Sequence, residues 1–295
     1  MTSNTPAQAG RLHQELRQMR AILGLTQDEV ARTQEWSAAK VHRIEKGISP
    51  ITKNDLAALL RSYGVTDPLR VDELQRLAQA ARRQRQKLPY STYGDVLTLE
   101  ARRFFAYEQN ADRISEVAML VLPGLLQTPA YTRALLSGGH GTDSTRFTRL
   151  AEIRADRQQR ITAADGGPRL HFYLDEAVLT RAIGGPSTML EQLDHLGELS
   201  RRPTVTVRII PLALGANPGL RGSFVLLEFL AEGAPAVVYL EDRRGDSVED
   251  APEVTDGFRD VLAELARDAA PADRTAAALD AARAVLRAGA APQER

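Results

Sequence analysis

The sequence predicts two parts of different class. A mainly α N-terminal helix-turn-helix domain of five helices precedes an α+β domain with a small mixed sheet. Three observations predict this. Residues 12–63 alternate short runs of helical apolar period with cap residues and glycines. Beyond residue 169 the pattern switches to Val-, Ile- and Phe-rich runs that read as strands. The formal net charge is zero, yet residues 1–88 carry 15 Lys and Arg against 9 Asp and Glu, while residues 89–295 carry 23 Arg against 29 Asp and Glu. A basic head on an acidic body is the electrostatic footprint of a part that meets phosphate.

At 295 residues the chain is long enough for two domains, each with its own core. No run approaches the ~20 apolar residues that span a bilayer, and the first residues lack the apolar stretch of a signal peptide. There is no cysteine, which excludes disulfides, thiolate metal sites and thiol catalysis. A soluble cytoplasmic protein with no membrane partner is expected.

Helix 1 runs over about residues 10–23, with Leu12, Leu16, Met19 and Leu23 on one apolar face, and Gly24 closes it. Thr26 followed by Glu29 forms a capping box that opens helix 2; Val30 and Ala31 face inward. Ser37 is the N-cap of helix 3, over about 37–45. Val41 and Ile44 point in, and Ala38, Ala39, His42 and Arg43 lie on the outer face. Gly47 ends helix 3. Thr52 opens helix 4, which buries Leu56, Leu59, Leu60 and Tyr63, and a fifth helix runs from Asp67 or Pro68 to about Gln86. Glu45 reads as a structural partner for helix 1 or 4, because a carboxylate repels phosphate. Trp36 reads as a packing residue.

LGLTQDEVA at 23–31, SAAKVHRIEKG at 37–47 and the leucine-rich run at 52–63 resemble the lambda-repressor-like, xenobiotic-response-element family of helix-turn-helix regulators. Glu35 stands where that family commonly has a turn glycine. The resemblance implies double-stranded DNA as partner, with helix 3 in the major groove. Gln27 would bond a backbone phosphate, and Ser37 would touch phosphate or cap helix 3. Ala38 and Ala39 suit a thymine methyl, and His42 a base edge or phosphate. Arg43 is the specificity candidate, since its fork fits O6 and N7 of guanine. Lys40, Lys46 and Lys53 are phosphate contacts that add affinity without sequence information.

Residues 89–98 break the pattern and read as a linker, leaving 1–88 as the DNA-binding head and 99–295 as a regulatory or partner-binding body. In the body, helices are expected at about 99–110, from Pro129, at 145–163, 186–200, 252–269 and 272–288. A strand or buried segment is expected at Val117–Leu122, and strands at 170–174, 204–210, 222–229 and 236–240. PGLLQTPAY at 123–131, LDEAVLTRAIGGPSTMLEQLDHLGEL at 174–199, VRIIPLALGANPGLRGSFVLLEF at 207–229 and VVYLED at 237–242 resemble blocks of a large family of actinobacterial regulators. Its C-terminal domain is of poorly defined function and is described as antitoxin-like or WhiJ-type. The aromatic-rich segment before that domain is reduced here to Tyr90 and Tyr93. The family is commonly encoded beside a small partner protein, which implies a binding role for the body.

Chemistry is thinly signalled. His171, Tyr173 and Asp175 would share one strand face near Glu176, but Asp175 as a helix cap explains the pattern more simply. Glu241 and Asp242 mark an acidic strand end. GGHG at 138–141 lacks the flanks of a phosphate loop, and neither a nucleophile elbow nor a zinc-protease helix is present. GANPGLRG at 215–222, with Arg221, is either a pocket edge or a long connection that needs its glycines. The expectation is therefore no catalytic residue, no metal and no cofactor. The chain reads as a sequence-specific, DNA-binding transcription regulator, a homodimer on a two-fold operator whose body receives a small-molecule effector or a protein. The alternative is an antitoxin-like interaction protein that binds a small cognate partner and regulates its own expression through DNA.

Overall fold

The computed structural model describes residues 6–45, 51–86, 88–139, 144–162, 167–231, 233–242 and 245–290. The chain divides into two compact units. The first comprises residues 1–110, 229–237 and 246–255; the second comprises 111–228, 238–245 and 256–295.

The first unit holds α1 (Pro6–Ile22), α2 (Gln27–Thr33), α3 (Ala38–Glu45), α4 (Lys53–Ser62), α5 (Pro68–Gln86) and α6 (Leu99–Glu108). Its core joins Leu12 and Leu16 of α1 to Val30, Val41, Ile44, Ile51, Leu56, Leu59, Leu60 and Leu74. The five expected head helices form, and local chemistry explains their ends. Thr26 accepts the Glu29 amide at 3.2 Å while Glu29 accepts the Thr26 amide at 2.8 Å, the reciprocal capping box. Thr52 caps α4 and Thr98 caps α6 in the same way, through the amides of Asp55 and Ala101. Leu23 departs from the sequence expectation. It is exposed, because α1 stops at Ile22 and the chain turns at Gly24 before the stripe can extend.

α1, α2 and α4 all end alike. The second residue past each helical end is left-handed (Gly24 at φ 67°, Glu35 at 57°, Gly64 at 72°). The next amide then bonds five residues back: Leu25 to Arg20, Trp36 to Ala31, and Val65 to Leu60, at 3.1, 2.8 and 2.9 Å. This is the Schellman closure. At Glu35 the closure forms without glycine, so the helix-turn-helix turn is as tight as its neighbours. A side chain in that conformation costs about 1 kcal/mol. Glu35→Gly is therefore expected to raise stability by about 0.5–1 kcal/mol, less than the full strain because glycine also loosens the unfolded chain. Urea unfolding followed through Trp36 tests it; a lowered midpoint would mean that the Glu35 side chain holds more than its strain costs.

Residues 88–98 bury Leu88, Val96 and Leu97 within the first unit. Tyr90, itself left-handed at φ 57°, meets Tyr93 and Phe105 edge-on, with centroids 6.0 and 5.6 Å apart.

After α6 the chain runs β1 (Arg113–Ala118), α7 (Pro129–Gly139), α8 (Ser144–Thr162), β2 (Arg169–Asp175), α9 (Ala177–Thr180), α10 (Gly185–Leu199), β3 (Val205–Ile210), β4 (Phe224–Glu228), β5 (Val237–Asp242), β6 (Gly245–Glu249), α11 (Pro252–Asp268) and α12 (Thr275–Ala290). The strands make one six-stranded mixed sheet in the order β3-β2-β1-β4-β5-β6. β1, β2 and β3 are parallel, with Ile114 opposite Leu170 and Leu170 opposite Val205; β4 runs antiparallel to β1, with Val117 opposite Phe224. Helical crossovers supply the parallel connections, as they must.

Two strand expectations need correction. β1 begins at Arg113 and ends at Ala118, not at Leu122. Arg113, Ser115 and Glu116 break up its apolar residues, which hides a strand paired on both sides, whereas the more apolar 119–122 leads into the Pro-Gly turn. β6, GDSVE, was not expected from sequence: it is short, polar and at the sheet edge, where strands carry little apolar signal.

Beneath the sheet's crossovers the block at 123–131 is bonded rather than merely packed. Gln192, fully buried, accepts the Thr128 amide and donates to the Leu126 carbonyl, both at 2.7 Å. Gln158 donates to the carbonyls of Gly124 and Gln127 at 2.7 Å. Arg208 on β3 donates to the Ala266 carbonyl in the last turn of α11 and to those of Ala269 and Ala270 just past it, at 2.6 and 3.0 Å, so a side chain serves the open end of that helix.

Candidate nucleic-acid interface

Three devices hold α3. Ser37 Oγ accepts the Lys40 amide at 3.2 Å and starts the helix. Val41 and Ile44 anchor its inner side at 2% and 1% exposure. Its last residue, Glu45, is 1% exposed and serves as a hub. Arg20 of α1 donates to both carboxylate oxygens at 2.7 and 3.0 Å, and Gln27 of α2 donates to one at 2.7 Å. The Glu45 hydrogen bond raises the pKa of Arg20 against the opposing effect of burial. Beside the hub, burial first and the Glu45 charge second push the Tyr63 hydroxyl's pKa up.

The sequence candidates fall out as follows. Ala39, His42 and Arg43 are exposed and share the outer side of α3. Ala38 is turned partly inward against the head core, because it shares a helical face with Val41 and Glu45. One amide N–H of Gln27 goes to Glu45, leaving the other to reach outward. Lys40 Nζ lies 2.9 Å from Asp55 of α4 and 3.8 Å from the centroid of the Trp36 ring, which ties the start of α3 to the start of α4. Lys53 is exposed on the first turn of α4 and borders a groove of about 570 Å³ that Arg76 and Arg82 also line. Lys46 and Gly47 lie outside the described residues. Glu45 partners helix 1 as expected, and Trp36 packs on the core. Sequence reasoning missed Arg17 and Arg20 as supports of α3, since solvated and structural arginines look alike along a helix.

In the second unit Asp175 accepts the Ala177 amide at 2.9 Å. His171 lies on the same strand four residues earlier, about 13 Å away along it, too far for the two to share a proton. Burial, then Arg113 and Arg169, lower the pKa of His171. Among the described residues no group of three or more His, Cys, Asp or Glu could hold a metal ion. The 215–222 loop needs its glycines: Gly215 and Gly222 have φ 66° and 135°, and a Cβ on Gly219 would stand 3.0 Å from Met119 Sδ. Arg221 is exposed on it.

Residues 11–74 match a family described as a helix-turn-helix domain, and residues 101–281 match a domain of unknown function, DUF5753. No curated protein and no solved structure matches the chain. The helix-turn-helix match supports DNA binding and transcription regulation in general. Among the described residues no helix is long and apolar enough to cross a membrane. Since that second match covers more than half of the chain, the protein belongs to the DUF5753 family, here behind an N-terminal helix-turn-helix domain.

Proposed function

We propose that the chain is a sequence-specific transcription regulator, acting in the cytoplasm, that lays α3 in the major groove of double-stranded DNA. The observation that carries this reading is the division of α3: Val41, Ile44 and Glu45 are buried, while Ala39, His42 and Arg43 are free of the core on a helix capped at Ser37. Arg43 takes a guanine edge, Ala39 with the open part of Ala38 takes a thymine methyl, and His42 takes a base edge or phosphate. Gln27, Ser37, Lys40, Lys46 and Lys53 take phosphates and fix the register.

The test uses the full chain and a duplex that it enriches from a random-sequence pool. Arg43→Ala is expected to cut the preference for that duplex over a scrambled one by about tenfold or more, the loss of one bidentate base contact. Lys53→Ala is expected to weaken both duplexes alike and lower the salt slope by about one. A wild type that enriches no duplex overturns the reading.

One head covers a short site, so the reading extends to a homodimer with recognition helices about 34 Å apart on a two-fold operator. Sedimentation as a monomer, both free and on DNA, removes that part. The second unit then receives the signal, as a small effector or a protein.

A second reading, an antitoxin-like interaction protein with autoregulatory DNA binding, is favoured by one observation. Leu120, in a bend after β1, and Leu212 and Leu220, in short 3-10 turns between β3 and β4, are 61–66% exposed. A small protein encoded beside the chain should then co-purify with the wild type and be lost with Leu220→Asp; absence of such a complex removes this reading. Neither reading asks for a catalytic residue, metal or cofactor.

A further inference from the structure

One side chain of the first unit comes from far along the chain. Asp250 follows β6, lies within the span matched to DUF5753, and is only 5% exposed. It pairs with Arg17 of α1, whose side chain is 18% exposed. A second guanidinium nitrogen of the same Arg17 points at the backbone carbonyl of Glu45, 3.4 Å away. Glu45 is the last residue of α3.

The carbonyls of the last helical turn have no partner inside their own helix. A cation placed there satisfies one of them and complements the negative end of the helix dipole. Arg17 is therefore a tertiary C-terminal cap on α3, supplied by α1. A guanidinium on a flexible stem holds such a place only if its fork is fixed, and Asp250 fixes it. The surroundings show that the place is built. His13, 7% exposed, carries a buried Nδ1 with no hydrogen-bond partner, and it accompanies Arg17, Arg103 and Asp250 in the same cluster.

We infer that Asp250, acting through Arg17, is a positioning residue for the recognition helix, so that the DUF5753 span helps set how the head reads DNA. This rests on the reading of α3 as the DNA-reading helix. It gives the unit its logic: a segment of the C-terminal family domain completes the fold of the head, and its aspartate orients the group that caps α3. Displacing residues 246–255 releases Arg17 and with it the end of the helix.

The experiment uses the full chain and the duplex enriched from a random pool by the wild type, at a temperature where circular dichroism shows each variant folded. Affinity is measured for that duplex and for a scrambled one across a salt series. Asp250→Ala and Asp250→Asn are expected to lose about tenfold in preference, the size of a lost charge-assisted hydrogen bond. Binding to the scrambled duplex and the salt slope should hardly move, because phosphate contacts are untouched. Asp250→Glu should keep most of the preference. Arg17→Ala should cost as much as Asp250→Ala, and combining the two should cost no more than either alone.

A pair that merely stabilised the fold would lower the unfolding midpoint and leave the preference of folded protein unchanged. That result overturns the inference while leaving the DNA reading intact. Failure of both Asp250→Ala and Asp250→Asn to fold overturns it as well, since the pair is then a folding determinant. A wild type that enriches no duplex removes the DNA reading and this inference together, an outcome distinct from the other two.

Discussion

Glu45→Ala is expected to destabilise the first unit by about 3 kcal/mol. The carboxylate is 1% exposed and accepts from Nε and Nη2 of Arg20 and from the side-chain amide of Gln27. Truncation strands the guanidinium of Arg20, whose side chain is only 19% exposed, without its counter-charge. Breaking a buried pair from one side costs about 3–5 kcal/mol, and the residual exposure of Arg20 puts this case at the lower end. The bond from the third nitrogen of Arg20, Nη1, to the Leu25 carbonyl at 2.8 Å survives the change. Trp36 is the only tryptophan and packs on the head core, so its fluorescence during urea unfolding reports this unit. A loss below about 1 kcal/mol would mean that water reaches Arg20 and replaces the carboxylate. Glu45→Gln keeps the shape and one acceptor and should fall between the two.

Acid is expected to weaken the first unit through His13 well before its carboxylates are protonated. Burial, then Arg103 and Arg17, hold the imidazole neutral and push its pKa down from 6.5 to about 4, against the opposing pull of Asp250 and a hydrogen bond to the backbone at Ile44. Below pH 6.5 the unfolded chain binds a proton that the folded chain refuses until about pH 4. The unfolded state then holds more protons, so stability falls as pH falls through this window and is unaffected by His13 above it. The full loss is about 3 kcal/mol. The midpoint of the wild type, followed through Trp36, should drop relative to a His13→Gln variant between pH 6.5 and 4 and run parallel to it above 7. A difference that stays flat over the whole range would show that the imidazole titrates alike in the folded and unfolded chain, open to water.

These two residues show how unevenly the head and its supports are written into the chain. The capping box at Thr26 and Glu29, the cap at Thr52 and the glycines at 24 and 64 act within six residues, so their helices are legible from the sequence. The outward set of Ala39, His42 and Arg43 follows from the 3.6-residue period once Val41 and Ile44 are placed inside. Glu45 is only half legible. Its charge argues against a DNA contact, but its two-point bond to Arg20 depends on how α1 crosses α3. His13 gives no signal, since a histidine in a helix looks the same buried or exposed.

In the second part the apolar strands β2 to β5 stand out by composition, and β6 and the true limits of β1 do not. Pairing is what makes a strand of GDSVE, and the two neighbours of β1 decide which of its residues are inside. Likewise Gln192 is an ordinary helical glutamine until the fold places it against the amide of Thr128 and the carbonyl of Leu126.

Local hydrogen bonds and helical period were therefore enough to write the five head helices and the face that α3 turns outward, because each depends on residues a few positions apart. The polar framework behind that face was settled by three-dimensional contact alone: Arg20 on Glu45, Arg17 between Glu45 and Asp250, and His13 buried beside α1's own charges. Arg17 and Asp250 are 233 residues apart, and no periodicity or spacing links a buried ion pair across such a distance. Only the folded chain lowers the cost of desolvating both charges by bringing them together.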